Sequence, residues 1–471
     1  MVSKRVKAGV AYTICNVILK GISFFSVPIF IRLLSPAEFG KYNIFILIEG
    51  ILIILSGLAI HSSIKNAFYD KKSTYDTYIK NCVYIDIVVS ILIGVIANLS
   101  CLFFSESIDL TYTEVNLLTI SGFCHSLISI YTSKLIMEYQ PNGFIVVSFI
   151  TVICGITLSL FFILTIFDYN HYYGRIWGAV SGQIIASIFV IRNLFKDGVA
   201  PFNLQDWKYG LKISLPIVPH GISQIILSSS DRLMIKYIQN VVFAGIYSFT
   251  YTISLVPQVL FASLSNVWEP WFFEQMNKAD HKTLKKGANQ FFLLISTIYI
   301  LMACIVPEIV KILATSDYYD SIDISILILG GCYFATLYYI PCEVEYYYKK
   351  TKYIAISTMC CAVLNIILNY WLLTHYSYKS AALSTFASYL AYFLFHMTMS
   401  KRISHQWLFD MKVIIIGIII TLSLMGTALI YISNIFIRGI IFIIVIGFLY
   451  YQNRDYIHSN IHKLWKQRIN N

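Results

Sequence analysis

Charge is scarce in this chain. Asp, Glu, Lys and Arg make up 13% of 471 residues, apolar residues 58%, and the mean hydropathy is +0.70. Soluble domains carry about 25% charged residues, so an ordinary water-soluble fold is excluded and an all-α polytopic membrane protein is expected. Catalytic signatures are missing as well. There is no GxxxxGK[ST] nucleotide loop, no HExxH, no GxSxG, no DxD acid pair and no zinc-ligand spacing. The chain therefore reads as no enzyme, with no cofactor or metal, and with no energy source beyond ion gradients or substrate concentration. Ten cysteines fall in or beside apolar segments without a CxxC pair or a Cys/His cluster, and they read as small core residues. The net charge of +11 does not imply nucleic acid, because the basic residues sit in alternate loops. Long polar segments are absent too. The longest connections, around 196–209 and 268–287, leave no room for a soluble catalytic domain.

What is present is a succession of apolar windows. A hydrocarbon core of ~30 Å needs ~20 apolar residues per helix, and about fourteen such windows are found: 8–32, 41–64, 79–104, 113–137, 143–167, 174–195, 210–237, 243–267, 288–310, 322–347, 353–374, 378–400, 411–431 and 434–452. The basic segment Met1 to Lys7 leads into about 24 mostly apolar residues, longer than a signal-peptide core of about 7–15, and no small-x-small site follows. The first segment is thus expected to remain as a span. With the N-terminus inside, 26 Lys and Arg lie at cytoplasmic ends and 8 at external ones, leaving Lys20 within the membrane. The cytoplasmic set includes Lys71, Lys72, Lys196, Lys208, the run from Lys278 to Lys286, Lys349, Lys350, Lys401, Arg402 and the tail residues Lys463, Lys466 and Arg468. External connections carry acids instead, such as Glu106, Asp109 and Glu114. Both termini are then cytoplasmic.

The chain also echoes itself. Lys20-Gly21-Ile22-Ser23 with Arg32-Leu33 returns 200 positions later as His220-Gly221-Ile222-Ser223 with Arg232-Leu233. Gly40 and Tyr42 answer Gly245 and Tyr247, and Ala179-Val180-Ser181 answers Ala382-Leu383-Ser384. This spacing predicts two parallel-repeat lobes of six helices, residues 1–200 and 201–402, related by an axis along the membrane normal, with the last two helices and a basic tail in 403–471.

Ionisable residues at depth in a membrane helix are costly and need a partner or a water-filled cavity. Lys20 lies about 18 Å from either end of its helix at 1.5 Å per residue. With Thr13, Asn16 and Ser23 it forms one polar stripe, expected to line a cavity. The alternative is an ion pair with Glu49, whose depth differs from that of Lys20 by about 6 Å. The seventh window has its own stripe of His220, Gln224 and Asp231, above Pro216 and Pro219, and the eighth carries Tyr247, Tyr251, Ser254 and Gln258, which read equally as packing. His61 and Lys65 close the cytoplasmic end of the second window. Arg32 ends the first, where it is placed to cap the helix, and the turn from Arg32 to Gly40 reads as a sharp hairpin with Pro36 and Gly40 as breakers.

The segments Lys20-Gly21-Ile22-Ser23, Pro28, Arg32-Leu33-Leu34-Ser35-Pro36, Glu38-Phe39-Gly40 and Tyr42, with Ser230-Asp231-Arg232-Leu233-Met234-Ile235 and Gly245-Ile246-Tyr247-Ser248, resemble the Wzx-type polysaccharide flippases of the MATE-like multidrug/oligosaccharidyl-lipid/polysaccharide exporter superfamily. The resemblance implies two six-helix lobes around a central cavity in the bacterial cytoplasmic membrane. The implied substrate is an undecaprenyl-diphosphate-linked oligosaccharide for O-antigen or capsule, moved to the outer leaflet by alternating access coupled to H+ or Na+. It also implies a polysaccharide polymerase and chain-length proteins as partners. Substrate contact is then expected at Lys20, His220, Asn16, Ser23, Gln224, Arg32, Arg232 and His61, and ion coupling at Asp231 and Glu49. A cation-coupled drug exporter would want acids in its cavity, which Lys20 opposes. A membrane polysaccharide polymerase would be expected to present a long external segment, which is lacking.

Overall fold

The structure, a computed structural model, describes residues 4–108, 110–449 and 451. Asp109 and the tail residues Lys463, Lys466 and Arg468 lie outside the described residues. Helices α1 (Lys4–Leu33), α2 (Pro36–Gly57), α3 (Ile64–Asp70), α4 (Tyr75–Ile108), α5 (Tyr112–Met137), α6 (Pro141–Phe149), α7 (Gly155–Thr165), α8 (His171–Leu194), α9 (Leu204–Ser214) and α10 (Ile217–Ile238) fill the first half of the chain. They are followed by α11 (Val241–Ser254), α12 (Val256–Asn277), α13 (His281–Leu313), α14 (Ser321–Leu337), α15 (Tyr339–Tyr347), α16 (Lys352–His375), α17 (Ala381–Ser404), α18 (Met411–Ile430) and α19 (Ile435–Leu449). No strand occurs among the described residues.

Helix lies in each of the fourteen windows, but the number of spans is smaller on stricter grounds. Among the described residues, eleven helices, counting α6 with α7, α11 with α12 and α14 with α15 as single spans, are long and apolar enough to cross a membrane. The bent pair α9 and α10 makes twelve. At 435–449, α19 is shorter, and α17 with its Lys401 and Arg402 is not among the qualifying helices.

The seventh window is broken where a single helix was expected. Its two parts meet at 43° around Leu215 and Pro216. Pro216 and Pro219 supply no backbone N–H, so the regular ladder lapses there, and the Val218 N–H reaches the Leu215 carbonyl over a tighter turn. A different interruption occurs between α6 and α7, where residues 150–154 form a π turn.

The chain groups into two compact units, residues 1–248 with 355–384 and residues 249–354 with 385–471. In the first, α2, α5 and α8 lie against one another at its centre, with α4 and α10 packed beside α2. Small residues set these distances. Gly174, Gly178 and Gly182 recur every fourth residue on α8, and a Cβ on Gly178 would stand 2.1 Å from the Ser159 backbone nitrogen of α7. In the second unit α13 packs on α12, α14 and α18. There Arg438, buried at the start of α19, donates two 2.5 Å hydrogen bonds to the two oxygens of Glu308.

The hairpin between α1 and α2 is real, but Gly40 does not break it. Ser35 caps α2 in a reciprocal box with Glu38, and Pro36 opens the helix. Gly40 lies inside α2 and lets α11 approach. A Cβ there would meet the Val241 carbonyl at 2.4 Å, and one on Gly245 would meet the Pro36 carbonyl at 1.8 Å. The two glycines that the sequence repeat pairs are thus the two that touch. Gly245→Ala should force α2 and α11 apart and destabilise the protein by about 1–3 kcal/mol, read as a lowered melting temperature in detergent. Gly426→Ala, which meets nothing within 4 Å, should not destabilise it.

Candidate functional site

Glu49 lies on the buried face of α2 with Phe45 and Ser56, directed into the first unit. Small residues make room for this. A Cβ on Gly57 would stand 1.9 Å from the Ser126 hydroxyl of α5, and one on Gly122 would stand 2.9 Å from the Ser56 hydroxyl, so α2 and α5 are almost in backbone contact. Ser121 and His125, one turn apart on α5, and Gln183 of α8 then converge on the carboxylate. The Gln183 amide donates to Glu49 Oε1 at 3.0 Å, His125 Nδ1 stands 3.5 Å from the same oxygen, and the Ser121 hydroxyl is in hydrogen-bond contact with it. Ser121 Oγ is also 2.7 Å from the Gln183 amide oxygen.

One hydroxyl has one hydrogen. If Glu49 is ionised, Ser121 donates to it and the Gln183 oxygen goes without; if Glu49 holds a proton, it can donate to Ser121, which then donates to Gln183. The cluster therefore accommodates a proton by turning one hydroxyl. Close by, Asp86 of α4 is fully buried, with Ser90 at 3.5 Å from one oxygen and no protein partner on the other.

Lys20 is not part of this cluster. Asn16, Lys20 and Ser23 share an exposed face of α1, about a quarter turn around the helix from the buried Cys15, Leu19 and Ser26. Among the described residues Lys20 makes no ion pair, so the Lys20–Glu49 pair of the alternative reading is not formed here. Rise per residue gave both side chains similar depth but said nothing of their directions around two helix axes. Thr13 turns its hydroxyl back to the Gly9 carbonyl at 3.0 Å.

On α10, His220 is half-buried and its Nδ1 has no protein partner, while Gln224 donates to Thr358 of α16 at 3.4 Å. Asp231 is buried, and its carboxylate accepts the Arg232 backbone N–H at 2.8 Å. Arg232 itself donates to Ser229 at 3.0 Å. Next to them Ser230 donates to Asn365 of α16, and Asn369 and Ser384 extend the chain of hydrogen bonds. Arg32 lies exposed in the last turn of α1, and His171 of α8 reaches the Leu33 carbonyl at 2.8 Å. His61 sits in the short turn after α2, where burial first and Lys65 second lower its pKa and favour the neutral ring. In the eighth window Tyr247, Tyr251 and Ser254 are buried, as the packing reading expected.

The structure thus places Glu49 among Ser121, His125 and Gln183, leaves Lys20, Asn16 and Ser23 together on one face of α1, and turns Gln224 to α16. The Ser121 and Gln183 contribution was missed. In sequence its only signal was the four-residue spacing of Ser121 and His125. Gln183→Leu, which removes the amide that donates to Glu49, should cost about 1–3 kcal/mol of stability. Lys20→Ala should stay within about 0.5 kcal/mol. Comparable losses of melting temperature in the two variants would place Lys20 in the structural frame.

Solved structures share the fold, among them a flippase and two transporters. The lipid II flippase MurJ in an inward closed conformation matches with a TM-score of 0.70 and 20% identity, over 95% of this chain and 100% of that one. An inward-facing multidrug resistance MATE transporter of the MOP superfamily matches at 0.66 and 13%, over 83% and 96%. A MOP superfamily transporter from Pyrococcus furiosus, noted for the reverse polarity of its binding pocket, matches at 0.57 and 13%, over 85% and 97%. No curated protein matches by sequence. The sequence model described as polysaccharide biosynthesis protein matches residues 6–276, from the first turns of α1 to the last turn of α12. More than half of the chain carries that match, and this multi-pass membrane protein, with many helices apolar enough to cross a membrane, belongs to the polysaccharide biosynthesis protein family.

Proposed function

We propose that this protein is a flippase that moves an undecaprenyl-diphosphate-linked oligosaccharide from the cytoplasmic to the outer leaflet of the bacterial cytoplasmic membrane, for O-antigen, capsule or related surface polysaccharide. The observation that carries this reading is the family match over residues 6–276, which takes in the Lys20 stripe and the whole of α10. The fold it shares with a lipid II flippase is in keeping with a large lipid-linked cargo. In this reading the repeats 1–200 and 201–402 are lobes that rock about the cargo, residues 403–471 are an appendix, and both termini face the cytoplasm, as the asymmetry of Lys and Arg indicates. A polymerase and a chain-length protein would take over the product on the far side.

The diphosphate is the costliest part of the cargo to bring through hydrocarbon, and it needs cations and water at mid-depth. Lys20 offers the cation from α1, beside Asn16 and Ser23. His220 and Gln224 offer polar groups from α10, and Arg32, Arg232 and His61 serve the ends of the path. Glu49 and Asp231 couple movement to H+ or Na+, with the Ser121 hydroxyl switching partners as Glu49 gains or loses a proton. An exporter of cationic drugs is the less fitting reading, because the exposed charge at mid-helix on α1 is positive.

In cells, Lys20→Ala should stop surface polysaccharide and leave the lipid-linked oligosaccharide on the cytoplasmic leaflet, whereas Lys20→Arg should keep part of the activity. Normal polysaccharide in cells whose only copy is the Ala variant would sink the reading of Lys20. In vesicles, Glu49→Gln and Asp231→Asn should each bind substrate and yet lose the response of transport to an imposed gradient. Gradient-driven transport at the native rate in either variant would remove that residue from coupling.

A further inference from the structure

Between α12 and α13 the second unit holds a cavity of about 420 Å³. Leu264, Trp268 and Trp271 line it from α12, and Gly287, Phe291 and Leu294 line it from α13. Both sets run at spacings of four and three, so each helix turns a single face to the cavity. The walls are mostly aromatic. The Trp268 indole stacks on the Phe291 ring with centroids 4.5 Å apart, and a Cβ on Gly287 would stand 2.1 Å from the Trp271 ring, so the lack of a side chain at Gly287 is what leaves that indole its place.

An apolar gap between helices needs no hydrogen-bond donor, and this one contains one. Trp268 is 5% exposed, and its Nε1 is buried without an acceptor in the protein. Such a group is costly until an acceptor reaches it. Gln290 adds an exposed amide at the edge of the same face of α13.

Charge gives the cavity an orientation. Helix α13 has 33 residues, about 50 Å of helix, which exceeds a hydrocarbon core of ~30 Å. Its first turns therefore stand at the membrane surface, on the side that the asymmetry of Lys and Arg makes cytoplasmic. The segment from Glu274 to Lys286 carries four lysines and two acids. Glu274 is paired with Lys278 at 2.5 Å, and Asp280 caps α13 by accepting the Thr283 N–H at 3.0 Å. Lys282, Lys285 and Lys286 are exposed, and among the described residues they make no ion pair, so the charge left over is positive. Lys286 stands one turn before Gln290, and Phe291, on which Trp268 stacks, follows Lys286 at a distance of about 8 Å along the helix. The indole donor thus lies just inside the level of the lysines.

We propose that this cavity binds an anionic glycerophospholipid of the cytoplasmic leaflet, with an acyl chain between Trp271 and Leu294, ester oxygens at the depth of the Trp268 N–H and the phosphate at the lysines. A glycerophospholipid carries its ester oxygens directly beneath its phosphate, which matches this order of apolar wall, donor and cations. A polyprenyl chain has no acceptor along its length. Lysines beside a membrane segment attract anionic lipid in the same way. The site is separate from the Lys20 stripe and does not rest on the flippase reading.

The test is native mass spectrometry of the purified full-length protein, stripped of lipid in detergent and titrated with phosphatidylglycerol. Phosphatidylcholine with the same acyl chains, glycerol 3-phosphate and undecaprenyl phosphate are titrated separately. One phosphatidylglycerol should bind saturably, about tenfold or more tighter than phosphatidylcholine, and glycerol 3-phosphate should not bind. Lys282→Gln/Lys286→Gln, at exposed positions, should remove most of that preference, whereas Lys208→Gln/Lys212→Gln, which takes the same charge from the first unit, should leave it. Trp268→Phe, which keeps a ring and drops the N–H, should weaken binding about threefold or more. Val267→Trp, placed at the rim where Val267 is 73% exposed, should block the cavity without disturbing the core. Equal affinity for the two phospholipids, native affinity in Val267→Trp or Trp268→Phe, or an equal loss in Lys208→Gln/Lys212→Gln overturns the proposal. So does tighter binding of undecaprenyl phosphate, which would give the cavity to the lipid of the cargo, or binding of glycerol 3-phosphate, which would make it a site for free phosphate.

Discussion

The near contact of α2 with α5 is the constraint on which the first unit depends. It exists because Gly57 and Gly122 present no side chain at the crossing, and serine hydroxyls occupy the space that Cβ atoms would fill. Once the two backbones are that close, a carboxylate on α2 has no route to water and must find its hydrogen bonds in α5 and α8. Glu49 finds them in Ser121 and Gln183. In hydrocarbon such bonds need not be strong to matter, because the alternative is an unsatisfied polar group. The same small-residue rule sets α8 on α7 and α2 on α11. The lattice of glycines and serines thus positions the polar groups, and the apolar residues fill around it.

Much of the architecture was legible because it is written in period and composition. Apolar windows near the length of a bilayer marked where helices lie, and the twin glycines Gly40 and Gly245 gave an internal register that the structure turns into a contact. The windows were less reliable as a count of spans. A window of suitable length reads the same whether its helix is straight, broken at Pro216 or punctuated by a π turn at residues 150–154.

The site was less legible, for a geometric reason. Sequence spacing along one helix fixes which residues share a face, so Asn16, Lys20 and Ser23 do lie together. It does not fix which way that face points with respect to another helix. Glu49 and Lys20 agree in depth and differ in direction, and no single-helix argument could separate the two cases. Gln183 had no periodic signal at all, because its role follows from how α8 is brought in by Gly174, Gly178 and Gly182.

The break before α10 has a mechanical consequence. The short helix α9 is fastened to the turn after α3, with Asp206 paired to Lys71 and the Tyr209 hydroxyl donating to Asp70 at 2.6 Å, while the stretch of loop before it is held by Asn81 and Tyr84 of α4. The lower piece is thereby clamped, and the 43° bend at Pro216 is the first place where the regular backbone ladder lapses. Beyond the joint, α10 is a rod of 22 residues, roughly 33 Å long. A pivot of about 10° at its foot would carry its far end sideways by about 6 Å over that length, about one turn of a neighbouring helix. The prolines make α10 a lever with a fixed fulcrum, so that a small angular change beside α9 becomes a displacement large enough to separate neighbouring helix ends.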